Sequence, residues 1–512
     1  MSLIKIGKSK QFLFPSYIGK CKKWSVAIAG AVAFVMITAP VLHAQTVPFT
    51  PIYLFQGGAD GYLPGSMFQG SDNNLYGTLV SGGAYGWGKV FQLTKGGTLT
   101  TLHTFDYTDG GDPADLIQGT DGNLYGVAAA GGSTGFGAIY RLTVDGAFAT
   151  LYTFTGGLDG DAPGALLQAS DGNVYGSATF GGIYNTGNTG CVYGCGALFK
   201  LTTGGDFSTL YDFPVGSVGS VPTELIEGQD GNLYGETQDG GAYYAGTIYR
   251  MSLTGELTTL HVFTGGVDGY IPSGLIQGSD GNFYGTTIEG GAISAACSIG
   301  CGTVYQLTPN GILTTLHSFA YTDGVGPFAG VTEGFDGNFY GTTQQGGSSP
   351  NCQHGCGTIF QLTPAGVLTT LHQFSYGDGA YPEGVLVQAS DGSFYGTTGG
   401  GGNTNGTIVY GFGSVFHFQL PTGPIAPTGL VATVKQLGKV ALTWAAAPGA
   451  VSYNVYQGAP AQESTTPVQS GLTKASATIK GLKRKQTYCF TVAGVDANGV
   501  GYPSNEACIT AK

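Results

Sequence analysis

Asp121-Gly-Asn-Leu-Tyr-Gly126 decides the reading of this chain, because the same phrase returns along most of its length. It stands as Asp72-Asn-Asn-Leu-Tyr-Gly77, DGNVYG at 171, DGNLYG at 230, DGNFYG at 280 and 336, and DGSFYG at 391. Successive starts among these seven copies lie 49, 50, 59, 50, 56 and 55 residues apart. Asp-Gly between alternating apolar runs is a strong short-range hairpin signal.

Each period divides into four strand-like runs, lettered a to d. In the second copy they are 114–119, 123–128, 137–143 and 148–154, with the motif at the a-to-b hairpin. A repeat of about 50 residues holding four short antiparallel strands has the length of one propeller blade. The ends support a closed ring. Runs a, b and c occur seven times, the last c being 413–418, yet only six d runs follow a c run. The seventh stands in front, where Thr50-Pro-Ile-Tyr-Leu-Phe55 matches Thr100-Thr-Leu-His-Thr-Phe105. The expectation is an all-β chain with a seven-bladed β-propeller over residues 45–421, its first strand completing its last blade. A solenoid would need atypical capping repeats, and neither end of the array looks like one.

Composition agrees. The 512 residues include 93 glycines, 12% aromatics and only 10% charged residues, a turn-rich profile with too many aromatics for disorder. Residues 1–44 read as a signal peptide: six lysines precede an apolar run from Trp24 to Ala39 and a cleavage site at Leu42-His43-Ala44. An uncleaved anchor is the alternative. The run is short for a membrane-spanning helix, so no membrane association is expected after cleavage. Residues 45–423 carry five basic and 28 acidic residues, which argues against nucleic acid as a partner. Apart from Cys21, the cysteines fall into pairs 191/195, 297/301, 352/356 and 489/508. In an exported chain they read as disulfides, with a four-thiolate zinc site the alternative for the close pairs.

The unit DGNLYGTT..GG....GTVYQLT..G.LTTLHTF resembles the GloVer (Gloeo_Verruco) tandem repeat of exported bacterial proteins, over residues 48–420. That resemblance implies export, often with a C-terminal anchoring element, and says little about activity. The chain departs from it at Ile509-Thr-Ala-Lys512, which offers no hydrophobic tail. After a Pro-rich linker at 422–427, residues 428–512 resemble a fibronectin type III domain: Trp444 stands where its core tryptophan would, Tyr453–Tyr456 as strand C, and Leu482 with Tyr488 as its tyrosine corner.

Candidate sites follow from topology. The d-to-a and b-to-c connections emerge on one face, which carries every long loop, and the uniform hairpins on the other. The d-to-a loops repeat an aspartate four residues before a proline: Asp60, Asp109, Asp159, Asp268, Asp323 and Asp378. Such an aspartate bonds its own turn; a ring of them holding Ca²⁺ or a polyol is the alternative. His103, His261, His317 and His372 share one repeat position on strand d, and different blades cannot bring them to one ion, so no metal centre is expected there. Blade four alone concentrates acids, Glu224, Glu227, Glu236 and Asp239, of which Glu224, Glu236 and Asp239 could serve glycoside chemistry. Loop aromatics, Tyr85, Trp87, Tyr243 and Tyr244 with Tyr184 and Tyr193, suit sugar rings. The favoured expectation is a secreted or periplasmic, monomeric, cofactor-free binding protein for an extracellular glycan or protein. A carbohydrate-active enzyme and an envelope scaffold are the alternatives.

Overall fold

The computed structural model describes residues 47–182, 191–402, 411–458 and 467–511, apart from positions 192, 203, 215, 217, 422, 425, 426, 437, 448, 498 and 505. The expected signal over 1–44, Tyr184 and part of the linker lie outside the described residues. Among those described, every regular element is a strand except one 3-10 turn at Gly58–Asp60. No helix there is long and apolar enough to cross a membrane.

Seven four-stranded antiparallel sheets account for the repeats among the described residues. In sheet 2 the strands are Gly111–Gln118, Leu124–Ala130, Ala138–Leu142 and Phe148–Thr153. Strand a begins earlier than the sequence suggests, because Pro113 pairs with Ala128 and a bulge before Leu116 absorbs the proline. The repeated motif is an Asx turn. Asp121 accepts the Asn123 backbone N–H at 3.0 Å, the Asn123 side-chain amide at 2.7 Å and the Tyr125 hydroxyl at 2.9 Å. The turn needs a left-handed residue, supplied by Gly122 at φ +82° and, in the first copy, by Asn73 at φ +67°.

The seventh sheet draws on both ends of the repeat array. Val387–Gln388, Phe394–Thr398 and Ser414–Phe418 are joined by Phe49–Leu54, with Phe49 opposite Phe418 and Leu54 opposite Ser414. Neighbouring sheets are tied by one recurring bond. The side chain that ends strand a accepts a backbone N–H beside the Asx turn of the preceding sheet: Gln118 from Ser71, Gln168 from Thr120, Glu227 from Ser170, Gln277 from Gln229, Glu333 from Ser279 and Gln388 from Phe335, at 2.7–2.9 Å. Gln69 of sheet 1 accepts the same bond from Ser390 of sheet 7 at 2.9 Å. The ring is therefore closed by a bond of the same kind as its other seams.

The apolar cores lie between sheets. Tyr76, Val90 and Phe105 of sheet 1 pack with Leu116, Leu124 and Tyr140 of sheet 2, and Phe55, Phe91 and Leu93 of the first repeat with Tyr395 and Val415 of sheet 7. Burying apolar area at each seam stabilises the ring by roughly 25 cal/mol per Å².

The C-terminal region forms a three-stranded and a five-stranded sheet, with Thr428–Gln436, Lys439–Ala445 and Ser476–Lys480 in the first. Trp444 is buried edge-on to Tyr453, 5.4 Å between ring centroids. The Tyr488 hydroxyl accepts the Lys483 N–H at 3.0 Å and donates to Gln486 at 3.0 Å. Cys489 and Cys508, opposite one another on adjacent strands, are disulfide-bonded.

Candidate functional site

The described aromatics of the b-to-c connections divide into two kinds. Tyr85, Tyr193, Tyr243 and Tyr244 of the b-to-c loops are 62–67% exposed. Trp87 differs. It lies 4.4 Å from the Tyr107 ring and packs against the core between sheets 1 and 2, so it covers the neighbouring d-to-a loop. The same repeat position holds Cys195, Cys301 and Cys356 in sheets 3, 5 and 6, each disulfide-bonded to Cys191, Cys297 or Cys352. A short disulfide loop thus stands where sheets 1, 2 and 7 carry Trp87, Phe136 and Phe412 and sheet 4 carries Ala245.

The six d-to-a aspartates are engaged within their own loops. Asp109 accepts the Asp106 N–H at 3.0 Å and pairs with His103 Nε2 at 2.8 Å. Asp323 pairs with His317 at 3.1 Å, Asp378 with His372 at 3.0 Å and Asp268 with His261 at 3.5 Å. Where strand d carries tyrosine, the phenol donates instead: Tyr53 to Asp60 at 3.0 Å and Tyr152 to Asp159 at 2.9 Å. Burial works to raise the Asp378 carboxyl, but the bonds from His372 and Ser375 outweigh it and hold it below the usual range. The histidines also pack between sheets, His103 stacked on Phe148 and His372 on Phe49. These carboxylates belong to six separate turns and form no common cage among the described residues.

Of the acids singled out in the fourth repeat, the structure joins two and separates the rest. Glu227 is spent on the seam bond to Ser170. Asp239 is exposed at the end of its strand and accepts the adjacent Gly240 N–H at 2.6 Å. Glu224 lies on strand a of sheet 4, and Glu236, fully buried, accepts a hydrogen bond from the Tyr305 hydroxyl of sheet 5. Burial pushes the Glu224 carboxyl up to about 7, and the nearby charge of Asp115 adds to the rise. Burial likewise pushes Glu236 up to about 8, against the Tyr305 bond and with the help of Glu224.

Asp115 is the member that sequence reasoning missed. It sits two residues after Pro113, as Glu224 sits two after Pro222, so the two acids share one repeat position on strand a of sheets 2 and 4. Its Oδ1 accepts the Leu116 N–H at 2.8 Å and its Oδ2 the Leu166 N–H of sheet 3 at 2.9 Å. Burial raises it despite those bonds. Tyr140, Tyr249 and Tyr305 complete the set. They occupy the strand c position that is Phe91, Phe199, Phe360 and Phe416 in the other sheets. Each ring crosses a strand b glycine, and a Cβ at Gly126 would meet the Tyr140 ring at 2.3 Å. Burial first, then the charge of Asp115 on Tyr140 and of Glu236 on Tyr249 and Tyr305, pushes all three phenols upward.

A closed set of repeated four-stranded antiparallel sheets, hinged on Asx turns, defines an all-β repeat protein of propeller-like architecture. The chain belongs to the Gloeobacter/Verrucomicrobia repeat family, whose model matches residues 41–189 and 181–409. Among curated proteins it is 40% identical over 82 residues to a poly(3-hydroxybutyrate) depolymerase from Delftia acidovorans, covering 15% of this chain and 16% of that one. Among solved structures it resembles the extracellular domain of a hybrid two-component system protein from B. thetaiotaomicron, with 10% identity and a TM-score of 0.47 over 91% of this chain and 57% of that one. An Fn3-like protein from Clostridium thermocellum matches 17% of this chain and 92% of its own length, with 32% identity and a TM-score of 0.16.

Proposed function

We propose that this chain is an exported, non-catalytic binding protein. In this reading a seven-bladed β-propeller presents its long-loop face to an extracellular polymer, a glycan first. The C-terminal sandwich, of fibronectin type III kind, is a spacer or second adhesive unit. One observation carries the reading: Tyr85, Tyr193, Tyr243 and Tyr244 stand about two-thirds exposed on one class of loop. Tyrosine joins an apolar ring to a polar tip and is enriched at interfaces and binding hot spots. Four disulfides support export, since such bonds persist in oxidising compartments. The buried Trp444 and the Tyr488 bond to Lys483 support the fibronectin assignment.

The test is binding of the full chain to a panel of glycans and to a polyhydroxyalkanoate, which the depolymerase likeness adds. Replacing Tyr85, Tyr243 and Tyr244 together with Ala should weaken the best interaction by about 1–3 kcal/mol at unchanged melting temperature. Trp87 is left in place because it packs. Unaltered binding would remove the reading, and binding lost only on deletion of residues 424–512 would move it to the sandwich. A carbohydrate-active enzyme is the second reading, favoured by Glu224, whose carboxyl at about 7 lies where a proton carrier works near neutrality. Hydrolytic or lyase turnover lost in Glu224→Gln would establish it.

A further inference from the structure

Strand a departs from its repeat in two neighbouring sheets. Asp268 and Gly278 of sheet 5 stand ten positions apart, as the matching residues of sheets 1 to 4 do, whereas Asp323 and Gly334 of sheet 6, and Asp378 and Ala389 of sheet 7, stand eleven apart. The extra residue breaks the ladder. Strand a runs for 8 residues in each of sheets 1 to 5, but only Val331–Glu333 and Val387–Gln388 stay regular in sheets 6 and 7. Insertions of this kind re-aim side chains. The position after the strand's proline is small in the five regular sheets, Gly65, Ala114, Gly164, Thr223 and Ser273, and large in the other two, Phe328 and Glu383. Printed contacts through Gly326 and Gln344 bring these two together. A Cβ on Gly326 would stand 3.1 Å from the half-buried Phe328 ring and 3.9 Å from Ile288 of sheet 5. The Gly326 carbonyl accepts the Gln344 N–H at 2.9 Å, and Gln344 Nε2 donates to Oε1 of the exposed Glu383 at 2.5 Å. Sheet 7 leaves room beside them. Gly399 stands where the other sheets carry Val80, Ala129, Thr179, Gln238, Ile288 and Gln344, and a Cβ there would lie 3.5 Å from Glu383 Oε2.

We infer that Phe328, Ile288, Gln344 and Glu383, with the space over Gly399, form a subsite for the ring of a neutral sugar, an assignment that rests on the glycan reading above. Phe328 and Ile288 offer an apolar platform to the C–H face of such a ring, and a few placed polar groups beside it fix orientation. The bonded amide and carboxylate set a donor next to an acceptor, which adjoining hydroxyls can engage together. Glu383 Oε2 takes no hydrogen bond among the described residues, and a charged acceptor makes the stronger bond. No base neutralises it. Lys89 pairs with Asp60, Lys95 with Asp391 and Lys200 with Asp171, while Arg141 lies beside Tyr125 and Arg250 beside Tyr234. Asp239 and Glu289 end strand b in sheets 4 and 5, and none of the seven matching positions is basic. Uronic acids and sulfated sugars therefore meet like charge and are rejected.

Calorimetric titration of the full chain with cellohexaose, maltohexaose, N-acetylchitohexaose and hexagalacturonate tests this. At least one of the three neutral oligomers should bind, and hexagalacturonate should not. Glu383→Gln should weaken the neutral oligomer about tenfold or more, as loss of a charged acceptor does, and the exposed Glu256→Gln should leave it unchanged. Gly399→Gln should abolish binding at unchanged melting temperature, because its φ is not left-handed and sheets 4 and 6 carry glutamine at that position. Phe328→Ala should weaken binding as well, and if that variant does not fold the other two decide. Neutral-sugar binding that survives both Glu383→Gln and Gly399→Gln would overturn the subsite, as would equal binding of hexagalacturonate. If it survives them and falls in the Tyr85, Tyr243 and Tyr244 triple variant, the loop reading stands without this subsite. If no oligosaccharide binds while the polyhydroxyalkanoate does, the subsite is again overturned and the binding reading stands with another polymer.

Discussion

Two seams of the ring, between sheets 7 and 1 and between sheets 4 and 5, share one architecture and differ in the strand b side chain that reaches across and in what it meets. At the first, Thr397 on strand b donates its hydroxyl to the Gly65 carbonyl of the next sheet at 3.0 Å. Thr78, Ser177 and Thr286 reach across in the same way, to Ala114, Thr223 and Pro327. At the second, Glu236 stands in that place and takes its bond from Tyr305 instead. Both seams keep the Gln-to-backbone bond, from Ser390 to Gln69 and from Gln229 to Gln277. A neutral hydroxyl tie and an ionisable acid thus occupy the same repeat position, but only one of them responds to pH.

Removing residues 47–55 is the strongest way to break the comparison. It takes the fourth strand from sheet 7 and Phe55 from the core shared with sheet 1. The seam should open with an exposed edge, and light scattering should show aggregation well below the melting point of the intact chain. Unchanged melting and scattering would mean that the ring does not depend on that strand.

Glu236→Gln sharpens it next. A carboxyl whose folded value is raised from 4.5 to about 8 contributes stability that is fully present below 4.5 and lost as pH rises through about 8, with Glu224 losing its share through about 7. The amide should therefore leave melting near pH 4 unchanged and stabilise at pH 9 by about 2–4 kcal/mol. Urea titrations at both pH values measure it, and an equal effect at both would contradict a buried acid. Tyr305→Phe removes the bond that lowers Glu236, so the pH at which stability is lost should move upward, with a general cost of about 1–2 kcal/mol. The smallest effect belongs to the other seam. Thr397→Val should cost about 1 kcal/mol, the same at every pH in the titration.

Much of this was legible in the sequence for a physical reason. Asp121, Gly122, Asn123 and Tyr125 act within six residues, so their pattern survives in any copy, and the all-β repeat follows from it. The matching of 50–55 to 100–105 was legible because register repeats. Asp115 was hidden because acids were sought as a concentration in one repeat, whereas the ring brings together single departures from different repeats. Tyr140, Tyr249 and Tyr305 were hidden because Tyr for Phe at a core position looks conservative until the acid across the seam is known. Trp87 and Tyr85 looked alike in composition; only packing separates the wedged indole from the solvated phenol.

The strand at Phe49–Leu54 also has a consequence in time. Ribosomes deliver it first, yet its partner, Ser414–Phe418, is delivered only after the rest of the array. Until then one edge strand must wait unpaired, and sheet 7 cannot form. Contacts so distant along the chain slow folding and delay its final cooperative step. The ring thereby stays open until residues 414–418 have been made, so its last sheet locks the others only after all of them exist.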